Sequence, residues 1–213
     1  MGLSPQAWAH LLAVGFDRRF EPGDVLLRQG DPGTHVLAVL SGRVKVVRTS
    51  AEGDLLVMAI RAAGDILGEM SVLGVANRSA TAIAVDRCVT KVIRADRFLQ
   101  MIQAKSLEGE FLRHAMARIR EGEEWREELA SLPAGRRLAR TLLQLLPTGP
   151  GMPLDVALSQ SELGQTAGLA RSTVAAQLAR LRELGAIDTG RGRILVTDLA
   201  RLRAAAGEID RNV

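Results

Sequence analysis

The sequence predicts an α+β chain: an N-terminal antiparallel β-roll of jelly-roll type, one long central helix, and a C-terminal helix-turn-helix with a wing. Three observations carry this expectation. Between Phe20 and Ile93, turn signals recur at Gly23-Asp24, Gly30-Asp31, Ser41-Gly42, Gly53-Asp54 and Gly64-Asp65. From about Ala95 the pattern turns helical, with few breakers until Pro133. Beyond Pro147-Thr148-Gly149-Pro150-Gly151, two short amphipathic patterns meet at a glycine and are followed by a glycine-centred hairpin. The expected boundaries are 1–105 for the roll, 106–132 for the helix and 133–213 for the C-terminal domain.

Within the roll, β-rich runs lie at Val25-Leu26-Leu27, Val36 to Leu40, Val44 to Val47, Leu55 to Ile60, Thr81 to Val85 and Val89 to Ile93. Short strands at this cadence pair antiparallel and close on themselves. In the helical segment, Phe111, Ala115, Arg118, Gly122, Trp125, Leu129 and Leu132 alternate four and three apart, the spacing of a heptad seam that requires a partner helix. Glu121, Glu123, Glu124, Arg126, Glu127 and Glu128 flank it as solvated positions. A helix packed on its own β-domain is the alternative, because Arg118 and Gly122 are poor seam residues.

Pro133-Ala134-Gly135 breaks the chain, and Arg136 to Leu146 resumes as an amphipathic helix. Ser159 with Glu162 three residues later forms a capping box for a helix to about Ala167. Gly168 then turns the chain into a helix from Arg171 to Leu184, with Val174, Leu178 and Leu181 on one face. Ala186 to Val196, folded about Gly190-Arg191-Gly192, reads as the wing.

Composition narrows the function classes. Of 213 residues, 47% are hydrophobic and 24% charged, which excludes a disordered chain. The longest apolar stretches, His35 to Leu40 and Leu55 to Ile60, fall far short of the roughly 20 residues of a membrane span. Residues 1–20 lack the pattern of an export leader, so the expected location is cytoplasmic, with no membrane partner. A single cysteine, Cys88, excludes an internal disulfide and iron–sulfur or zinc-thiolate chemistry. His10, His35 and His114 have no metal-ligand spacing and are expected to be ordinary surface or half-buried residues. Neither a metal site nor catalysis is expected. Lysines and arginines match acidic residues, 17 each, over residues 1–135, whereas 136–213 hold 11 arginines against 7 acidic residues. The net charge of +4 therefore sits in the last third, as arginine, the side chain suited to guanine edges and phosphates.

The most specific string is Gly68-Glu69-Met70-Ser71-Val72-Leu73-Gly74-Val75-Ala76-Asn77-Arg78-Ser79-Ala80-Thr81. It resembles the phosphate-binding cassette of cyclic-nucleotide-binding domains. The Arg78 guanidinium can pair bidentately with a cyclic phosphate. Amides near Glu69, Met70 and Ser71, with Ser79, supply further donors, and Glu69 can accept from a ribose 2′-hydroxyl. Turn pattern, cassette, long helix and helix-turn-helix occur in the order found in the cyclic AMP receptor protein (Crp/Fnr) family of bacterial transcription regulators. The resemblance implies a homodimer paired through its long helices, a cyclic nucleotide under each roll (cyclic AMP favoured, cyclic GMP the other candidate), and double-stranded DNA with a pseudo-palindromic operator as partner. RNA polymerase is a further candidate partner.

Two departures from the family pattern bear on specificity. A Thr-Ser pair on the family's central helix contacts adenine, but alignment on Leu129-Ala130 and Thr141-Leu142-Leu143 puts Gly122-Glu123 there. Glu123 can accept from the adenine amine or from guanine N1 and N2, and Trp125 either fills the seam or stacks on the base. The family's recognition helix begins Arg-Glu with a further Arg one turn on, whereas this chain reads Arg171-Ser172-Thr173-Val174-Ala175-Ala176-Gln177. Arg171 retains the guanine contact, Gln160, Ser161 and Thr173 lie where the family grips phosphates, and Gln177 and Arg180 are candidates for added contacts. A ligand-gated DNA-binding regulator is the leading expectation. The alternatives are a constitutive regulator with a vestigial pocket and, more distantly, a cyclic-nucleotide-binding regulatory subunit of an enzyme.

Overall fold

The computed structural model describes the chain except residues 1–2, 51–52, 54, 75, 147–153, 191 and 209–213 and, within the long helix, the side chains at 125–126 and 128–130. Ser4 caps α1 (Pro5–Val14) by accepting the Ala7 N–H, and proline suits the first turn because its missing N–H would be unbonded there. The chain then runs through β1 (Phe16–Phe20), β2 (Val25–Leu27), β3 (His35–Ser41), β4 (Val44–Thr49), β5 (Leu55–Arg61) and β6 (Ile66–Leu67). It continues through the short α2 (Glu69–Leu73), β7 (Thr81–Ala84), β8 (Cys88–Arg94), α3 (Ala95–Ala104) and α4 (Glu108–Ser131). All six expected strand runs are present. The sequence reading lacked α1, β1 and β6, and it missed the break after α3, where Ser106 takes a φ of 53° and ends the helical run before α4.

Two four-stranded antiparallel sheets, ordered β1-β8-β3-β6 and β2-β7-β4-β5, form the roll. Strand β3 shows why: its run is apolar on both faces. Leu37 and Val39 join Phe20, Val44, Ala82 and Cys88 in one cluster, while Val36 and Ala38 join Leu11, Ile93, Phe98 and Phe111 in the other. Alternation of side chains along a strand sends these two sets to opposite faces, so helices must cover the second. Phe111 of α4 stacks edge-on against Phe98 of α3, ring centroids 5.1 Å apart. Cys88 is fully buried, its thiol donates to the Arg43 carbonyl, and burial pushes it up to about 11, in keeping with the expected core role.

The C-terminal part comprises α5 (Ala134–Leu145), β9 (Asp155–Val156), α6 (Gln160–Ala167), α7 (Arg171–Glu183), β10 (Ile187–Gly190), β11 (Arg193–Val196) and α8 (Leu199–Ala205). The wing hairpin gains β9 as a third strand in the order β10-β11-β9. Leu138, Leu142, Leu163, Val174, Leu178 and Leu202 supply buried side chains from α5, α6, α7 and α8. Gly168 ends α6 in the left-handed region, φ 61°. By packing, the chain divides into Met1–Arg48 with Arg61–Glu123, and Thr49–Ile60 with Glu124–Val213. The division falls inside α4, and most of β5 groups with the second unit, where the Val57 N–H donates to Thr166 Oγ1 at 3.3 Å. No helix among the described residues is long and apolar enough to cross a membrane.

The capping box of α6 is formed in full: Ser159 Oγ accepts the Glu162 N–H at 3.2 Å, and Glu162 Oε2 accepts the Ser159 N–H at 2.9 Å. Ser159→Ala is expected to lower the stability of the C-terminal part by about 1 kcal/mol. Urea unfolding followed by far-UV circular dichroism checks this, and an unchanged midpoint counts against the cap.

Candidate functional site

The cassette is built around Arg78, which is 5% exposed. Nη1 donates to the Gly68 carbonyl at 2.6 Å and to Ser71 Oγ at 2.7 Å, and Nη2 donates to the His35 carbonyl. Ser71 Oγ in turn donates to the Gly68 carbonyl at 3.0 Å. Gly68 is required here twice over: its φ is 83°, and a Cβ would overlap the Arg78 guanidinium. Loop and arginine are thus specified together. A cavity of about 280 Å³ opens beside Arg78 and is lined by Leu27, Arg28, Asp31, Thr34 and His35. Burial, then the Arg78 and Arg18 charges, hold the His35 imidazole below its usual value.

Glu69 does not share that cavity. Its side chain is buried, and its Oε1 lies 3.7 Å from Nε2 of His114 on α4. Burial is the main reason its carboxyl is pushed up to about 7; Asp65 raises it further, and Arg61 and Arg78 pull against this. His114 Nε2 also stands 3.5 Å from Arg118 Nε, and Arg118 Nη2 donates to Asp65 Oδ1 at 2.8 Å. His114 is therefore not the ordinary surface or half-buried residue the sequence suggested, since it is 7% exposed and burial lowers its basicity. The sequence offered no signal for it beyond a lone histidine on a highly charged helix. Of the other cassette residues, Met70 and Ser79 are exposed.

The seam on α4 requires correction. Phe111 is fully buried in its own chain, against Phe98, and Arg118 turns toward Asp65, so neither is free to meet a partner helix. The exposed apolar side chains are instead Leu112, Met116 and Ile119, at 61%, 46% and 50%, one position away in register. Inner and outer stripes have the same four-three spacing, which the pattern alone does not distinguish. Ala115, Gly122 and Leu132 are half-buried and Glu123 is exposed. The side chains of Trp125 and Leu129 lie outside the described residues.

In the C-terminal part, Gln160, Ser161 and Arg171 line one concavity of about 400 Å³ together with Thr189, Gly190, Gly192 and Arg193 of the wing. Three predicted residues thus meet, joined by Thr189 and Arg193, which sequence reading missed because it assigned the hairpin no contacts. Arg182 of α7 ties the helix to the wing by donating to Thr189 Oγ1 at 3.3 Å. Arg171, Ser172 and Arg180 are exposed; Ser172, Ala176 and Arg180 follow one another at four-residue intervals along one face. Thr173 and Gln177 are half-buried, and the Gln177 amide lies against Gly135 at the start of α5, so Gln177 is less available to a ligand than its neighbours.

Known proteins match both regions of the chain. Residues 17–105 match the model of the cyclic nucleotide-binding domain, and residues 136–205 match that of the Crp-like helix-turn-helix domain. The cyclic AMP receptor protein of Thermus thermophilus is 34% identical over 207 residues, covering 96% of this chain and 94% of its own. The CRP-like cAMP-activated global transcriptional regulator of Mycobacterium tuberculosis is 27% identical, again covering 96% of this chain and 94% of its own. Among solved structures, the c-di-GMP responsive global regulator CLP of Xanthomonas campestris shares the fold, with a TM-score of 0.71 at 22% identity over 91% of this chain and 99% of its own. These relatives are transcription regulators, not enzymes. With a cyclic-nucleotide-type roll, a long helix and a Crp-like helix-turn-helix in one chain, the protein belongs to the Crp/Fnr family of DNA-binding transcription regulators.

Proposed function

We propose that this regulator is a cytoplasmic homodimer whose hold on a pseudo-palindromic operator is governed by a cyclic nucleotide, cyclic AMP before cyclic GMP. The observation that carries the reading is the buried Arg78 guanidinium, held by Gly68 and Ser71 at the mouth of α2. Its bonds to Gly68, Ser71 and His35 use three of the five N–H groups a guanidinium carries, which leaves donors for an anionic phosphate. Gly68, Met70, Ser71 and Ser79 complete the phosphate side, Glu69 takes the ribose, and Gly122 and Glu123 face the base from α4. The relatives named for cyclic AMP support this effector. Ligand acts by preferring one of two arrangements, which is all that allosteric control requires. RNA polymerase is the partner that a promoter-bound regulator of this kind would meet.

The DNA side rests on the concavity shared by Arg171, Gln160, Ser161 and the wing. Arg171 reads guanine, Gln160, Ser161, Thr173 and Arg193 hold phosphates, and Arg180 extends the row of Ser172 and Ala176. Arg171→Ala is expected to cost about 1–3 kcal/mol per half-site and to relax the preference at one guanine. Gln160→Ala should weaken all sequences alike. Selection from a random DNA library with wild type and both variants checks this; an unchanged motif in Arg171→Ala contradicts the assignment.

A constitutive regulator is the second reading, and one observation favours it: Arg78 and Glu69 both find partners within the chain. The same selection, run with and without cyclic AMP, separates the two. Tighter recovery of a palindrome with nucleotide supports gating, and equal recovery in both conditions supports the constitutive reading.

A further inference from the structure

His114 is the one buried histidine among the described residues, and its Nδ1 is buried with no hydrogen-bond partner. Its Nε2 has two neighbours, Arg118 Nε at 3.5 Å and Glu69 Oε1 at 3.7 Å. If Nε2 accepts from Arg118, the proton sits on Nδ1 and is unbonded; if Nε2 donates toward Glu69, Nδ1 is a bare acceptor. In either tautomer one polar atom is left unsatisfied, which costs folding free energy that a leucine at this position would not.

We propose that His114 is a positioning residue for Glu69: from α4 it holds the carboxyl of the cassette in place, and so sets the discrimination between ribose and deoxyribose. This rests on the cyclic-nucleotide reading of the cassette. The groups facing the pair are Arg61 at the end of β5, Asp65 between β5 and β6, Arg78 before β7, and Arg118 and Glu121 on α4. Asp65 is engaged by Arg118 and Glu121 by Arg61, whereas Arg78 bonds to two carbonyls and a hydroxyl and keeps its positive charge beside the pair.

The consequence is a pH-dependent preference. Glu69 has its carboxyl pushed up to about 7, so it is mostly neutral at pH 6 and mostly ionised at pH 8. A 2′-hydroxyl donates more strongly to a carboxylate than to a neutral carboxyl. Affinity for a ribonucleotide relative to its deoxy form should therefore rise with pH, by up to about tenfold between pH 6 and 8. A nucleotide lacking the hydroxyl senses only the carboxylate's charge, which acts on both nucleotides and cancels in their ratio.

The test is calorimetric titration with cyclic AMP and 2′-deoxy cyclic AMP at pH 6, 7 and 8, on wild type, His114→Leu and His114→Gln. In wild type the ribo-to-deoxyribo ratio should climb about tenfold across this range. In His114→Leu the ratio should collapse and its midpoint should move above 7, because the carboxyl loses a polar neighbour in a buried site. His114→Gln, which keeps an N–H donor, should restore most of the preference. A purely structural role would weaken both nucleotides equally and leave the midpoint in place. A wild-type ratio that is flat with pH, or a His114→Leu profile superimposable on wild type, overturns the proposal. If neither nucleotide binds, the cassette reading fails instead, and the Glu69 carboxyl carbon resonance in the free protein still decides: a midpoint near 7 that rises in His114→Leu supports the pairing, and one unmoved by the substitution overturns it.

Discussion

Arg78→Ala is expected to abolish binding of a cyclic nucleotide at concentrations that saturate the wild type. The guanidinium is the only cationic side chain hydrogen-bonded to Gly68 and Ser71 among the described residues, so a phosphate seated there would lose its charged partner. Truncating one member of a desolvated charge pair costs about 2–5 kcal/mol, which is roughly 30-fold to several-thousand-fold in affinity. The fold suffers as well, because the Gly68 and His35 carbonyls and Ser71 Oγ lose a donor inside the roll. Arg78→Lys separates the two effects: it keeps the charge but cannot span the same acceptors, so it should fall between wild type and alanine. Calorimetric titration beside thermal melts checks both. Affinity unchanged in a folded Arg78→Ala protein rules out the cassette as the anion site.

The roll was legible because its signals are local. Each turn at Gly23, Gly30, Gly42, Gly53 and Gly64 has positive φ, so a glycine, followed by aspartate in all but the Ser41-Gly42 turn, marked the strand ends directly. The capping box at Ser159 and the left-handed Gly168 are equally local, and they placed α6 and α7 to within a residue. Strand β1 was missed for a matching reason: Phe16–Phe20 alternates no apolar face, four of its five residues being exposed, and it is a strand because β8 beside it offers an unpaired edge.

Residues whose roles depend on tertiary packing were only half legible. The cassette string identified Arg78 and Glu69, but not that Arg78 would bond to the His35 carbonyl 43 residues away or that Glu69 would turn to His114. On α4 the four-three spacing fits two stripes, and Phe111 and Arg118 of the expected seam are taken up within the chain's own roll. A helix that packs on its own roll through Phe111, His114 and Arg118 presents Leu112, Met116 and Ile119 outward, and both stripes satisfy the same periodicity. The doubt raised by Arg118 as a seam residue was the sequence's own indication of this, since a charged side chain on an inner face needs a specific partner, here Asp65.

The outer stripe gives the second large effect: Met116→Asp with Ile119→Asp is expected to leave the chain monomeric. Leu112, Met116 and Ile119 form an apolar row on the exposed side of α4, and a two-fold axis along that helix would set each row against its copy. Fully burying an exposed side chain of this kind contributes about 1.5–3 kcal/mol, these half-exposed ones stand to gain about half of that each, and six of them would meet across such an axis. Aspartates at two of the three positions replace that gain with like charges drawn out of water, which association does not offset. Because the substituted side chains are already exposed in the single chain, the variant should still fold, with a melting temperature lowered by the stabilisation that the partner chain supplied. Sedimentation equilibrium at about 10 µM should give the mass of two chains for wild type and one for the double variant, by the mass-action dependence of a dimer. A monomer carries one recognition helix, so its DNA selection should return a half-site or nothing in place of a palindrome. A wild type that sediments as one chain, or a double variant that stays dimeric, places the interface elsewhere.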